Sequence, residues 1–194
     1  LIRGNFGPLP PPPPPPGPLV RAFGDPYLTT VKNNTFILHA AGEFTAVRTE
    51  DEQVDIQARM EPIDDWVSLN SAVAARVEEH RVTIDADREH LVHLDGEPLP
   101  LEEFDERSLD GGGTVTRHGT EIIVQWPESE TRLSARLRGG IDYQVHLGEE
   151  HLEQMTGLHG DHEGERWYAD GQPLPVRPSH DELHAYADSW RITD

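Results

Sequence analysis

Gly24-Asp25-Pro26-Tyr27-Leu28-Thr29-Thr30 and Thr35-Phe36-Ile37-Leu38-His39-Ala40-Ala41-Gly42-Glu43-Phe44 decide how this chain is read. Gly-Asp-Pro is turn chemistry, and the Leu-Thr-Thr that follows is strand chemistry. The polar Lys32-Asn33-Asn34 marks a reversal, and Ala-Gly-Glu-Phe opens a third extended run. Working outward, short apolar-alternating runs recur with turn residues between them. The pattern predicts strands near 28–32, 35–40, 43–49, 53–60, 67–77, 80–85, 90–94, 114–117, 121–126, 131–138 and 141–147. Val54-Asp55-Ile56-Gln57-Ala58-Arg59-Met60 alternates cleanly. Ile122-Ile123-Val124 is continuous and reads as central. Ser68–Val77 is alanine-rich enough for a helix, but Val73, Val77 and the alternation Leu69, Ser71, Val73, Ala75, Val77 favour strand. Pro98–Arg107 reads as a loop with at most one helical turn. A single helix is expected late, capped by Ser179 or Asp181 and running Glu182–Trp190. Short strands without a long helix predict an all-β fold, a double-sheet β-sandwich-like domain of about ten strands with one short C-terminal helix.

Residues 1–23 read differently. Pro10, Pro11, Pro12, Pro13, Pro14, Pro15 and Pro16 are unbroken and flanked by Gly-Pro-Leu triplets on both sides. Such a run adopts an extended polyproline arm. Phe6, Leu9, Leu19 and Val20 supply apolar anchors that a purely solvated spacer does not need. The expected division is therefore an arm at 1–23, acting as linker or docking strip, and a β domain at 24–194.

Charge and composition narrow the partners. A net charge of −20, with Lys32 the single lysine, excludes the basic face that nucleic acids and anionic membranes require. No apolar run reaches the length of a membrane span, so no membrane insertion is expected. The absence of cysteine removes disulfides and thiol chemistry. There is no nucleophile elbow and no phosphate-binding glycine loop, so the chain is not expected to be an enzyme.

Several segments together resemble the von Willebrand factor type D domain, in its cysteine-free bacterial form. They are Gly24-Asp25-Pro26, Ala41-Gly42-Glu43-Phe44, Val54–Arg59, Asp95-Gly96, Gly119–Trp126, Gly157-Leu158-His159-Gly160-Asp161-His162-Glu163-Gly164, Ala169-Asp170-Gly171 and Ala187-Asp188-Ser189-Trp190. The resemblance implies a secreted or surface-exposed adhesion or assembly module of packed β-sheets with a calcium site. Carried over residue by residue, Asp25, Asp161 and Glu163 are the expected Ca²⁺ ligands, with Glu165 a weaker fourth. Alternating carboxylates in a glycine-rich loop are also what calcium chemistry asks for. Glu163 stands where the family usually has Asp, and Arg166-Trp167-Tyr168 replace the acidic or amide residues that follow the family's loop.

The functional expectation is a non-catalytic extracellular or surface module acting through protein–protein contacts, one version being a self-assembling fibre or surface-layer subunit whose arm docks on a neighbouring copy. One alternative is a metal-dependent hydrolase or self-processing module using the His159-x-x-His162 loop, with His151, His180 and His184 nearby in sequence. Another is an extracellular ligand-recognition domain presenting Trp66, Trp126 or Trp167.

Overall fold

The structure, a computed structural model, describes residues 17–64 and 67–193. In chain order its first strands are β1 (Leu19–Phe23), β2 (Tyr27–Thr29), β3 (Thr35–Ile37), β4 (Gly42–Thr49), β5 (Asp55–Pro62), β6 (Ser68–Val77) and β7 (His80–Asp85). They continue with β8 (Val92–Leu94), β9 (Glu97–Pro98), β10 (Glu106–Ser108), β11 (Thr114–His118), β12 (Glu121–Gln125), β13 (Arg132–Leu137) and β14 (Ile141–His146). The short helix α1 (Glu149–Leu152), β15 (Met155–Thr156) and the helix α2 (His180–Ser189) complete the set.

Two antiparallel sheets result. One runs β10-β11-β12-β13-β14-β1-β2-β3, the other β15-β4-β5-β6-β7-β8-β9. Period-two alternation explains the packing: Ile56, Ala58 and Met60 on β5, Val73, Ala75 and Val77 on β6, and Leu133 and Ala135 on β13 all turn into one shared core. This is the expected double-sheet sandwich. β6 is a strand paired on both sides, as its valines indicate.

The domain starts earlier than residue 24. Leu19-Val20-Arg21-Ala22-Phe23 lies between β14 and β2, with Val20 and Ala22 fully buried. Leu19 and Val20 are thus strand residues rather than arm anchors; their short alternation directly follows the proline run. Phe6, Leu9 and Pro10 to Pro16 lie outside the described residues, as does Trp66. Glu106–Ser108 is an edge strand at the end of the segment expected as a loop, and Glu149–Leu152 adds a second helix. Both are too short for periodicity to register.

One irregularity positions the late loop. The β4–β5 pairing shifts register between Thr45 and Val47, a bulge at the same residues whose carbonyls, those of Thr45 and Ala46, the late loop bonds.

Candidate functional site

The loop from Gly157 to Glu165 is built on that bulge. Leu158 N–H donates to the Thr45 carbonyl at 3.1 Å and His159 N–H to the Ala46 carbonyl at 3.3 Å. Gly157 makes the approach possible: its φ is +128°, and a Cβ there would sit 2.6 Å from the Ala46 oxygen. From the other side α2 presents Tyr186, whose hydroxyl lies 2.9 Å from the Leu158 carbonyl and 3.1 Å from that of Gly157.

His159 sits at the centre with no solvent exposure. Its Nδ1 is 2.7 Å from the Thr29 carbonyl and its Nε2 is 3.0 Å from the Tyr143 hydroxyl. A carbonyl only accepts, so Nδ1 carries the proton and Nε2 accepts from the phenol. Burial pushes the imidazole down to about 4, against the opposing pull of the Thr29 carbonyl. Burial also holds the Tyr143 phenol above its ordinary range. His159 thus joins the late loop to β2 and β14, and both its nitrogens are committed.

Asp161 closes the exposed half of the loop. Its Oδ1 accepts from the backbone N–H groups of Glu163 and Glu165, both at 2.9 Å. Its Oδ2 accepts from the Trp167 indole at 2.8 Å. Glu163 faces the Lys32 ammonium and the His162 ring, each at 3.6 Å, with its side chain mostly exposed. Arg166 crosses the Phe36 ring at 4.6 Å.

This arrangement does not fit calcium. The ion needs six to eight oxygens converging on one point, whereas the Asp161 carboxylate is surrounded by N–H donors and Glu163 by a lysine. Asp25 occupies the β1–β2 turn, where the Gly24 N–H bonds to Asp142. The loop instead meets Thr29, Thr30 and Lys32 at the far end of β2, so Asp25 is not brought to Asp161. Glu165 is exposed, and the loop uses its backbone. Among the described residues, no three His, Asp or Glu side chains converge as a metal group. The His159-x-x-His162 spacing fails as a ligand pair for a related reason: His159 is enclosed while His162 faces solvent. The sequence shows the spacing of these residues but not the enclosure.

Of the tryptophans within the described residues, Trp126 is buried and donates its indole N–H to the Gln53 carbonyl at 3.0 Å. Trp167 is partly exposed but tied to Asp161. The sheet faces hold what the sequence reading missed. On the eight-stranded sheet Phe23, Tyr27 and Ile37 are direct neighbours on β1, β2 and β3. They are 41%, 38% and 40% exposed, and the two rings stack with centroids 5.7 Å apart. β3 is an edge strand, so this apolar strip runs to the rim of the sheet. In the sequence Phe23 closes the expected arm, Tyr27 follows the Gly-Asp-Pro turn and Ile37 lies in an expected strand; the register makes them a patch.

The outer face of the other sheet is ionic. Arg59 and Arg88 both bond the buried Asp85, at 3.1 and 3.2 Å, and Arg59 also reaches Glu43 at 2.9 Å. Arg81 reaches Gln57 across Ala74. The shallow trough they line has a volume of about 220 Å³. No protein-family model matches this chain, and no curated protein matches it.

Proposed function

We propose that this protein is a non-catalytic structural module of the cell surface or extracellular space, acting by contact between its own copies. The proline-rich arm of one copy lies on the Phe23–Tyr27–Ile37 strip of the next. The strip is the observation that carries this reading. A contiguous apolar row ending on an open sheet edge is a surface that soluble proteins otherwise avoid.

The arm has matching chemistry. Proline rings in polyproline II pack on flat aromatic faces, and the stacked Phe23 and Tyr27 rings offer one. Seven such residues extend about 22 Å, enough to cross three strands. Charge favours the same pairing. Residues 1–16 contain Arg3 and no acid, in a chain whose net charge is −20. The arm is therefore a segment that a second acidic copy does not repel. The chain enters β1 at Leu19, the end of the strand opposite Phe23. The placement outside the cell rests on the type D resemblance.

Sedimentation velocity on the full chain, on a chain lacking residues 1–16 and on Tyr27→Ser tests this. Concentration-dependent assembly of the full chain, lost in both variants, is the expected result. Identical sedimentation of all three would end the reading.

A further inference from the structure

We propose that His180 and His184 form a two-imidazole site for a divalent transition metal of the Cu²⁺, Ni²⁺ or Zn²⁺ class, separate from the late loop and independent of the arm-docking reading. The two residues are one helical turn apart at the start of α2, so their side chains share a face. Their Nε2 atoms lie 3.1 Å apart and their ring centroids 4.3 Å apart. Imidazole nitrogens bind these metals at about 2.0–2.1 Å, and two of them at angles between a right angle and the tetrahedral value are separated by about 2.9–3.4 Å. The observed spacing falls inside that window. The two Nε2 atoms share a hydrogen bond at that spacing, and an ion takes the place of the proton between them without rearrangement of the helix.

The neighbouring chemistry supports the ligand role. The metal requires the ring protons on Nδ1, and the Asp181 carboxylate stands 3.9 Å from His180 Nδ1, on the side that favours that tautomer. The capping box of Ser179 and Glu182 fixes the first turn on which the pair sits, with Glu182 N–H to Ser179 Oγ at 3.2 Å and Ser179 N–H to Glu182 Oε2 at 2.7 Å. His180 is exposed and His184 half-buried, so an ion reaches them directly. Water fills the remaining positions, since no third described side chain converges there. Nitrogen ligands select the transition metals over calcium, with Cu²⁺ bound most tightly. The site exists only when the helix is formed, so occupancy reinforces α2 and the Tyr186 anchor it carries to Gly157 and Leu158.

The test is titration of the full-length chain with CuCl₂ alone, followed by calorimetry and by electron paramagnetic resonance. The expected result is one tight site per chain with two equatorial nitrogens. Removing one preplaced ligand is expected to weaken binding by about a hundredfold, the advantage that effective concentration supplies. His180→Ala and His184→Ala should each show that loss, while His162→Ala should bind as the native chain does. Ni²⁺ should raise the melting temperature of the native chain and of His162→Ala only. Equal Cu²⁺ affinity in the native chain and both helix variants, or loss confined to His162→Ala, would overturn the assignment.

Discussion

His159 is where a single side chain decides the most. In the folded protein burial holds its pKa to about 4, whereas an unfolded chain titrates near 6.5. Between those values the unfolded state binds the extra proton, so stability falls as pH drops from about 6.5 to 4, by about 3 kcal/mol in total. Urea unfolding across that range should show the slope, and His159→Gln should flatten it while lowering stability at neutral pH. His80 works in the opposite sense: its contact with Asp95 at 2.8 Å raises its pKa, and that stabilisation is lost as pH rises. Its exposure keeps the contribution small. Asp161 is a second decisive residue. Asp161→Ala releases two backbone N–H groups and the Trp167 indole, at a cost of about 1–2 kcal/mol because water replaces the lost partners. Trp167 fluorescence should shift to the red in the folded variant. Sequence spacing singled out both residues, but as metal ligands. What each one bonds to, a carbonyl and a phenol for His159 and a ring of N–H donors for Asp161, depends on strands distant in the chain.

At the level of elements, α2 and β1 make opposite cases. α2 was legible because its signals are local: Ser179 caps it, Glu182 completes the box, and Tyr186, Ala187 and Trp190 form the buried side. Ser179→Ala should cost about 1 kcal/mol, read by thermal melting. β1 was hidden behind a proline run although its own alternation is regular. A chain starting at Gly17 should keep the native melting temperature. A chain starting at Gly24 should fail to fold, because it loses the ladders to both β14 and β2 and the burial of Val20, worth about 1.5–3 kcal/mol by itself. Circular dichroism of the two truncations distinguishes a domain that begins at Gly17 from one that begins at Gly24.

For the whole molecule, the −20 charge sets the background against which any contact must form. Added calcium should leave the melting temperature unchanged at fixed ionic strength, because the late loop is organised around N–H donors rather than free oxygens. A rise of several degrees with calcium, abolished by Asp161→Ala, would show that the loop rearranges to bind the ion.

The sequence alone determined the all-β class, most strand positions, the turns and the capped helix. Those features rest on local propensity and on periods of two and 3.6, which a linear pattern carries. Tertiary structure decided that β1 belongs to the sheet, that His159 is enclosed, that Asp25 and Asp161 lie at opposite ends of β2, and that Phe23, Tyr27 and Ile37 form one strip. Each of these depends on register and packing between segments far apart in the chain, and one residue of slip would turn every side chain of a strand to the other face.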